Sequence, residues 1–354
     1  MDSPEIQTPN VQRPSLNFKR KVRLVTRQPP QCYNRGNRPK FPRHNNAAPR
    51  TKWRVRVCLI FNPTANGDKA RRLQRHLDVI SADCTLKQTR AAGAARKLAA
   101  EAVREEYDVV VAAGGDGTLN EVVNGIVDEP GGLESVRLGV LPLGTINVFA
   151  REFGIPIDLK QAWNTVMTGA DTEIDLPCVK QHVDGIKTRR YFTQLAGSGL
   201  DARAVELVDY SLKKKVGPLA YVFAGIKAIA APQVKISATN GHHSATGELV
   251  LIGNGRYYGG AYPIFHEADP RDGLIDVCVF PKINWGAALK TGWAWASGNW
   301  KGLAGAEYFQ TRKVKISSNP AAPIEADGEA FGSIPATISI EDKRLKVIVP
   351  QQAG

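Results

Sequence analysis

The chain has 354 residues, 43% hydrophobic and 23% charged, which allows about two globular domains and excludes collagen, coiled coil and global disorder. Its formal net charge is +13, from 47 Lys and Arg against 34 Asp and Glu, a balance that points to a polyanionic partner unless one segment carries it. One segment does: residues 1–50 hold 11 basic and 2 acidic residues, leaving the other 304 near neutral, so nucleic acid is not an expected partner.

That segment, residues 1–52, also holds 8 of the 22 prolines. With almost no apolar runs it cannot offset its chain entropy by burial, and it reads as a disordered basic tail. It lacks the apolar core of a secretory signal. The five cysteines, Cys32, Cys58, Cys84, Cys178 and Cys278, are scattered without a CxxC pair or a nearby histidine pair, so neither a disulfide framework nor a zinc site is expected. No apolar run approaches the ~20 residues of a membrane span. The expected address is the cytoplasm, with any membrane met from its surface.

From residue 53 strand and helix alternate. Residues 55–61 are β-rich and stop at Asn62-Pro63, and residues 67–80 place Ala70, Leu73, Leu77 and Ile80 at helical spacing. A strand over 84–89, an Ala-rich helix over 93–106, a β-branched strand over 107–113, a helix over 118–127 and a strand over 136–141 follow. This pattern predicts a doubly wound α/β domain over 53–170, its parallel sheet covered on both faces and its ligand site beyond the carboxyl ends of the strands. From 171 to 354 the chain turns β-rich, with strands expected at 172–176, 190–195, 247–253, 274–280, 313–316, 336–340 and 345–349, in a sandwich-like second domain. The crevice between the two is the expected place for a site.

Strand 107–113 runs into Gly114-Gly115-Asp116-Gly117-Thr118-Leu119-Asn120-Glu121 and directly into a helix. Such a turn lets successive N–H groups and a helix N-terminus surround phosphate oxygens. An aspartate inside an anion nest makes sense when a cation accompanies the anion, as Mg²⁺ does a nucleotide triphosphate. Alone, the turn is also a strand-to-helix junction with Asp116 as N-cap. Two companion turns at the same sheet edge, Asn62-Pro63-Thr64-Ala65-Asn66-Gly67 and Pro142-Leu143-Gly144-Thr145-Ile146-Asn147, favour a ligand site.

From about residue 54 to the C-terminus these motifs resemble the catalytic domain shared by diacylglycerol kinases, sphingosine and ceramide kinases and the bacterial lipid kinases, whose fold is similar to that of NAD kinases. The resemblance implies transfer of the γ-phosphoryl of ATP to a lipid hydroxyl, with diacylglycerol or a related membrane lipid as acceptor. It implies nucleotide contacts at Asn62, Pro63, Thr64, Gly67, Thr89, Gly115, Asp116, Gly117, Thr118, Leu119, Asn120, Glu121, Gly144 and Thr145, with Asp116 organising Mg²⁺ and ATP. Asp269-Pro270-Arg271-Asp272-Gly273-Leu274 resembles the bacterial family's structural Mg²⁺ loop, with Asp272 and main-chain oxygens near Asp269 and Leu274 as ligands; as a bare spacing it is equally an Asp-Gly turn. Asp327 and Glu329 resemble the family's acidic pair, one of which takes the proton of the attacking hydroxyl; the residues themselves do not say which, and Glu329 is favoured as the base, with Asp327 orienting it or helping to hold Mg²⁺. At i and i+2 they would project together from a turn or from one face of a strand. The chain departs from the commonest bacterial pattern at Val148, where aspartate is usual, and in the late glycine of the first turn, Gly67.

Other signals are weaker. Gly197-Ser198-Gly199-Leu200-Asp201-Ala202 fits a dinucleotide fingerprint but lacks the acidic residue about 20 positions on that would hold a ribose. Trp285, Trp293, Trp295 and Trp300, near Lys290 and Lys301, suit either a core or a membrane interface. Beside the lipid kinase stand two rivals: an NAD kinase-like small-molecule kinase, and a non-catalytic protein that binds anionic membrane or nucleic acid. Expected partners are ATP, a lipid substrate and an anionic membrane surface, and a homodimer is compatible with this reading.

Overall fold

A computed structural model describes residues 55–62, 84–183, 185–200, 202, 233–260, 262–284, 286 and 305–351. The basic tail, the helix expected over 67–80, Pro63, Thr64, Gly67 and the tryptophans named above lie outside these residues.

Strands β1 (Val57–Phe61) and β3 (Val109–Gly114) are buried at every position. Unbroken apolar runs of this kind mark the interior of a sheet covered on both faces, where no position is free to be polar. They pair in parallel with each other, β1 with β2 (Thr85–Gln88), and β3 with β4 (Arg137–Pro142), giving the order β2-β1-β3-β4. Strand order reverses direction between β1 and β3, so their carboxyl ends splay into a crevice. Helix α1 (Ala94–Arg104) buries Ala95, Ala99 and Ala102, and α2 (Asp116–Asp128) packs on it so tightly that a Cβ on Gly125 would stand 2.2 Å from the Arg96 carbonyl oxygen. Short helices α3 (Gly132–Ser135) and α4 (Val148–Glu152) follow, then α5 (Leu159–Thr168), whose first amides bond the Asp158 carboxylate.

The β-rich part is not a separate sheet set beside this one. Strand β5 (Ala170–Val183) pairs antiparallel with the final strand β18 (Ala336–Val349), and β18 pairs in parallel with β4 through Lys346 and Val347. The expected strands 336–340 and 345–349 are thus one strand, with a register shift between Ile340 and Arg344. Beyond β18 the sheet continues through β15 (Lys313–Ser318), β8 (Ile236–Thr239) and β9 (Ser244–Gly247), while β6 (Ile186–Tyr191) pairs with β5, making ten described strands. Lys313-Val314-Lys315-Ile316 alternates exposed and buried because one face is solvated and the other packed. The packed face meets a six-stranded antiparallel sheet ordered β14 (Glu307–Thr311), β13 (Ile275–Phe280), β10 (Leu249–Gly253), β7 (Leu195–Gly199), β16 (Pro323–Ala326), β17 (Glu329–Ser333). Val179, Val314 and Ile338 from one sheet and Val250, Val277 and Ile324 from the other fill the space between, as in a sandwich. Tyr257–Tyr258 and Tyr262–Pro263 form a small two-stranded ribbon, β11 and β12.

Residues 190–195, expected as one strand, break after Tyr191 and resume at Leu195. The glycines of the Gly197 fingerprint lie within β7, paired on both sides by β10 and β16. Among the described residues no helix is long and apolar enough to cross a membrane.

Candidate active site

At the carboxyl edge of the parallel strands Asn62, the one described residue of the first turn, meets the glycine turn after β3 and the third turn after β4. The Asn62 amide bonds the Ala113 carbonyl at 3.2 Å, and its side-chain Nδ2 lies 3.3 Å from Thr118 Oγ1. Thr89 is buried beside them, its amide on the Phe61 carbonyl. The amides of Leu143 and Gly144 both bond the Gly114 carbonyl, at 2.9 and 3.2 Å. Gly144 sits directly against Gly115: a Cβ on Gly144 would lie 2.5 Å from the Gly115 Cα, so the two glycine turns fit only without side chains. Thr145 stands exposed just beyond.

The Asp116 carboxylate accepts the amides of Val148 and Phe149, at 3.1 and 3.3 Å. It caps α4 and ties the third turn to the second. Burial raises its pKa; the Val148 and Phe149 amides oppose that, and the negative charge of Asp327 adds to the rise. The departure at Val148 therefore leaves this link intact, since it is the backbone N–H of Val148 that Asp116 holds.

Glu121 faces away from the glycine turn. Its two oxygens accept the amides of Gly93 and Ala95, at 2.8 and 2.9 Å, and so cap α1. Leu119 is a core residue. Asn120 is buried and donates to the Tyr191 carbonyl and to Asp327 Oδ2, and Asn124 exchanges bonds with the Tyr191 backbone. These two asparagines lash the first turns of α2 to the end of β6.

Asp327 and Glu329 both reach the first turns of α2 but take different partners. Asp327 and Gly328 form the turn of the β16–β17 hairpin with φ of 48° and 81°, the paired positive values a tight hairpin needs. The Asp327 carboxylate turns inward: Oδ1 accepts the amides of Gln194 and Leu195, and Oδ2 accepts Thr193 N, Thr193 Oγ1 and Asn120 Nδ2, all at 2.8 to 3.2 Å. That clasp is what interrupts the expected strand 190–195, because the amides of 193–195 serve a carboxylate. Glu329 is held by a side chain rather than by backbone amides. Its Oε2 pairs with Arg190 Nη1 at 2.6 Å, and its Oε1 lies 3.0 Å from where a Cβ on Gly117 would stand. A half-exposed carboxylate thus overhangs the first turn of α2.

The loop 269–274 closes on itself. Asp269 pairs with Arg271 at 2.7 Å, the Asp272 amide bonds the Asp269 carbonyl, and the Leu274 amide bonds Asp272 Oδ1 at 2.8 Å. Buried Asp175 receives the Gly273 amide at 2.7 Å and faces Arg344 at 3.2 Å. The Asp269 carbonyl and Asp272 Oδ1, two of the oxygens that the resemblance assigns to a cation, here accept N–H groups of the loop itself. Sequence reasoning passed over Arg190 and Asp175; a charged residue inside the apolar run Ile174-Asp175-Leu176 is a signal that could have exposed the latter.

Residues 56–179 match the profile of the diacylglycerol kinase catalytic domain, and residues 194–349 that of the YegS C-terminal NAD kinase beta sandwich-like domain. A diacylglycerol kinase of Staphylococcus epidermidis is 28% identical over 305 residues, covering 84% of this chain and 93% of its own. One of Staphylococcus aureus is 29% identical over 306 residues with the same coverage. A crystal structure of a diacylglycerol kinase from Bacillus anthracis strain Sterne superposes with a TM-score of 0.65 at 22% identity, covering 84% of this chain and 98% of that one.

Proposed function

Because the chain belongs to the diacylglycerol kinase catalytic domain family, we propose that it is a lipid kinase that transfers the γ-phosphoryl of ATP to the hydroxyl of diacylglycerol or a related membrane lipid. The observation that carries this reading is the position of Glu329 over Gly117, which puts a carboxylate from the β sandwich at the glycine turn of the α/β half.

In this reading Asn62, Thr89, Gly115, Gly117, Thr118, Gly144 and Thr145 surround the nucleotide, whose phosphates meet the amides at the N-terminus of α2. Asp116 shapes that turn from within. Its oxygens accept the Val148 and Phe149 amides, and lone pairs left over would serve the water shell of Mg²⁺, which when bound neutralises phosphate charge. Glu329 accepts the proton of the lipid hydroxyl as its oxygen forms the new bond to phosphorus; the bond from phosphorus to the bridging oxygen breaks, and its electron pair leaves on ADP. Asp327 holds the hairpin that carries Glu329, and its committed oxygens disqualify it as the base. The acceptor is a membrane lipid, so the enzyme works at a membrane surface met from the cytoplasm, and the basic tail is suited to anionic head groups.

Purified chain given radiolabelled ATP, Mg²⁺ and mixed hydroxyl lipids should yield a labelled lipid, and Glu329→Gln should abolish it. Nucleotide binding without a product from any hydroxyl lipid would overturn the reading. A parallel assay with NAD as acceptor should give nothing.

A further inference from the structure

Arg190 sits at the end of β6, one residue before Tyr191, whose backbone Asn120 and Asn124 clamp to α2. Its guanidinium lies 5.5 Å from the centre of the Phe331 ring, and its side chain is 20% exposed. Nη1 donates to Glu329 at 2.6 Å. Nε is buried with no hydrogen-bond partner. A buried donor left empty is a cost that a bound acceptor would remove.

The placement has an electrostatic reason. A carboxylate that serves as base beside a polyphosphate repels the group it must approach, and a cation bonded to that carboxylate cancels the repulsion. Arginine does more than a point charge, because its planar fork keeps the Nε and Nη2 edge for a second, bidentate acceptor once Nη1 is occupied. Glu329, which Arg190 holds, hangs with its Oε1 over the N-terminus of α2, so an acceptor at that terminus would lie beside the carboxylate that Arg190 holds.

We propose that Arg190 is a catalytic residue that joins the base to the transferred group, its Nη1 holding Glu329 while its Nε and Nη2 edge, whose Nε is closed to water in the free chain, opens to bind oxygens of the γ-phosphoryl. The proposal rests on the lipid-kinase reading and deepens it. Arg190 stays protonated throughout; the proton of the acceptor hydroxyl goes to Glu329 and the electron pair of the broken P–O bond to ADP. The guanidinium stabilises charge on the equatorial oxygens in flight, as an arginine supplied in cis does in other phosphoryl transfers.

The test compares nucleotide binding with turnover in the full chain. Arg190→Gln should weaken a non-hydrolysable ATP analogue about tenfold or more by calorimetry while leaving ADP within about twofold, because only the analogue carries the third phosphate. Its kcat should fall about 10³-fold. Arg190→Lys should recover little of this, and guanidinium ion should restore part of the turnover of Arg190→Ala. Arg189→Gln, on the neighbouring residue whose guanidinium lies over the Tyr191 ring at 5.9 Å, should bind both nucleotides normally. Equal weakening of ADP and analogue would reduce Arg190 to a structural role and overturn the proposal, as would an unchanged kcat. If the variants do not fold, the ¹⁵Nε–H resonance of Arg190 in the unaltered protein decides: it should move on adding the analogue and not with ADP, and equal responses overturn the idea. A chain without lipid kinase activity fails the kinase reading itself, whereas an active one whose Arg190→Gln variant keeps full kcat fails only this proposal.

Discussion

Removing the Asp327 carboxylate strands the amides of Thr193, Gln194 and Leu195 and the Asn120 side chain together. Each partly buried donor left unpaired costs about 1–3 kcal/mol, with some recovery by water. Asp327→Ala should therefore lose about 3–5 kcal/mol in urea melts, while Glu329→Gln, whose carboxylate is half-exposed, should melt within about 1 kcal/mol of the parent yet lose turnover by about 10²-fold or more. Spacing alone made these carboxylates look like twins; the positive φ at Asp327 sends its side chain inward, and no periodicity rule carries that information. Asp276 makes a second residue-scale case. It is buried on β13, accepts from Tyr308 Oη and from Gln310 Nε2, and leaves Oδ2 without a partner. Burial, the dominant cause, lifts its pKa from 3.8 to about 6. The folded chain then holds a proton that the unfolded chain has released between these values, so this group's contribution to stability falls as pH rises through the window. The stability of Asp276→Asn relative to the parent should accordingly grow by about 2–3 kcal/mol between pH 4 and pH 7, read from urea midpoints at each pH; a flat difference would refute the assignment.

Among elements, β18 carries the largest share of the architecture. Its last residues pair with β4 of the parallel sheet, its first with β15 of the sandwich, and Leu345 and Val347 are fully buried where it meets the first core. A charge at Val347 would enter a core with no partner to neutralise it. Val347→Asp should cost about 3–5 kcal/mol and melt the parallel sheet together with the sandwich in one transition, observable as coincident circular dichroism and fluorescence curves. Retention of an independently melting α/β half would contradict this. The buried strands β1 and β3 were legible as apolar runs, and α2 by the glycine turn that opens it. The tie from β18 to β4 was not, since a pairing between segments about 200 residues apart leaves no local trace in either.

For the whole molecule the charge has two parts. The tail's excess of nine positive charges belongs to residues 1–50 and the remainder is close to neutral. Each basic residue held near an anionic bilayer contributes about 1 kcal/mol, an effect that fades within a Debye length and with added salt. Deleting residues 1–52 should reduce flotation with vesicles containing phosphatidylglycerol, most strongly at low salt, and leave turnover of a short-chain acceptor in micelles unchanged. Equal flotation with and without the tail would assign membrane contact to another surface. Composition, the apolar runs and the glycine- or proline-marked turns were enough to establish two kinds of structure and to single out one sheet edge as the candidate site, because periodicity, burial and backbone freedom are local properties of the chain. Which carboxylate clasps the backbone and which stays open, that Glu121 caps α1, that Arg190 pairs with Glu329 and that the last strand closes the first sheet were decided only in three dimensions. Those facts depend on where distant segments end up, and side chains commit to partners only after the backbone has brought them within hydrogen-bond reach.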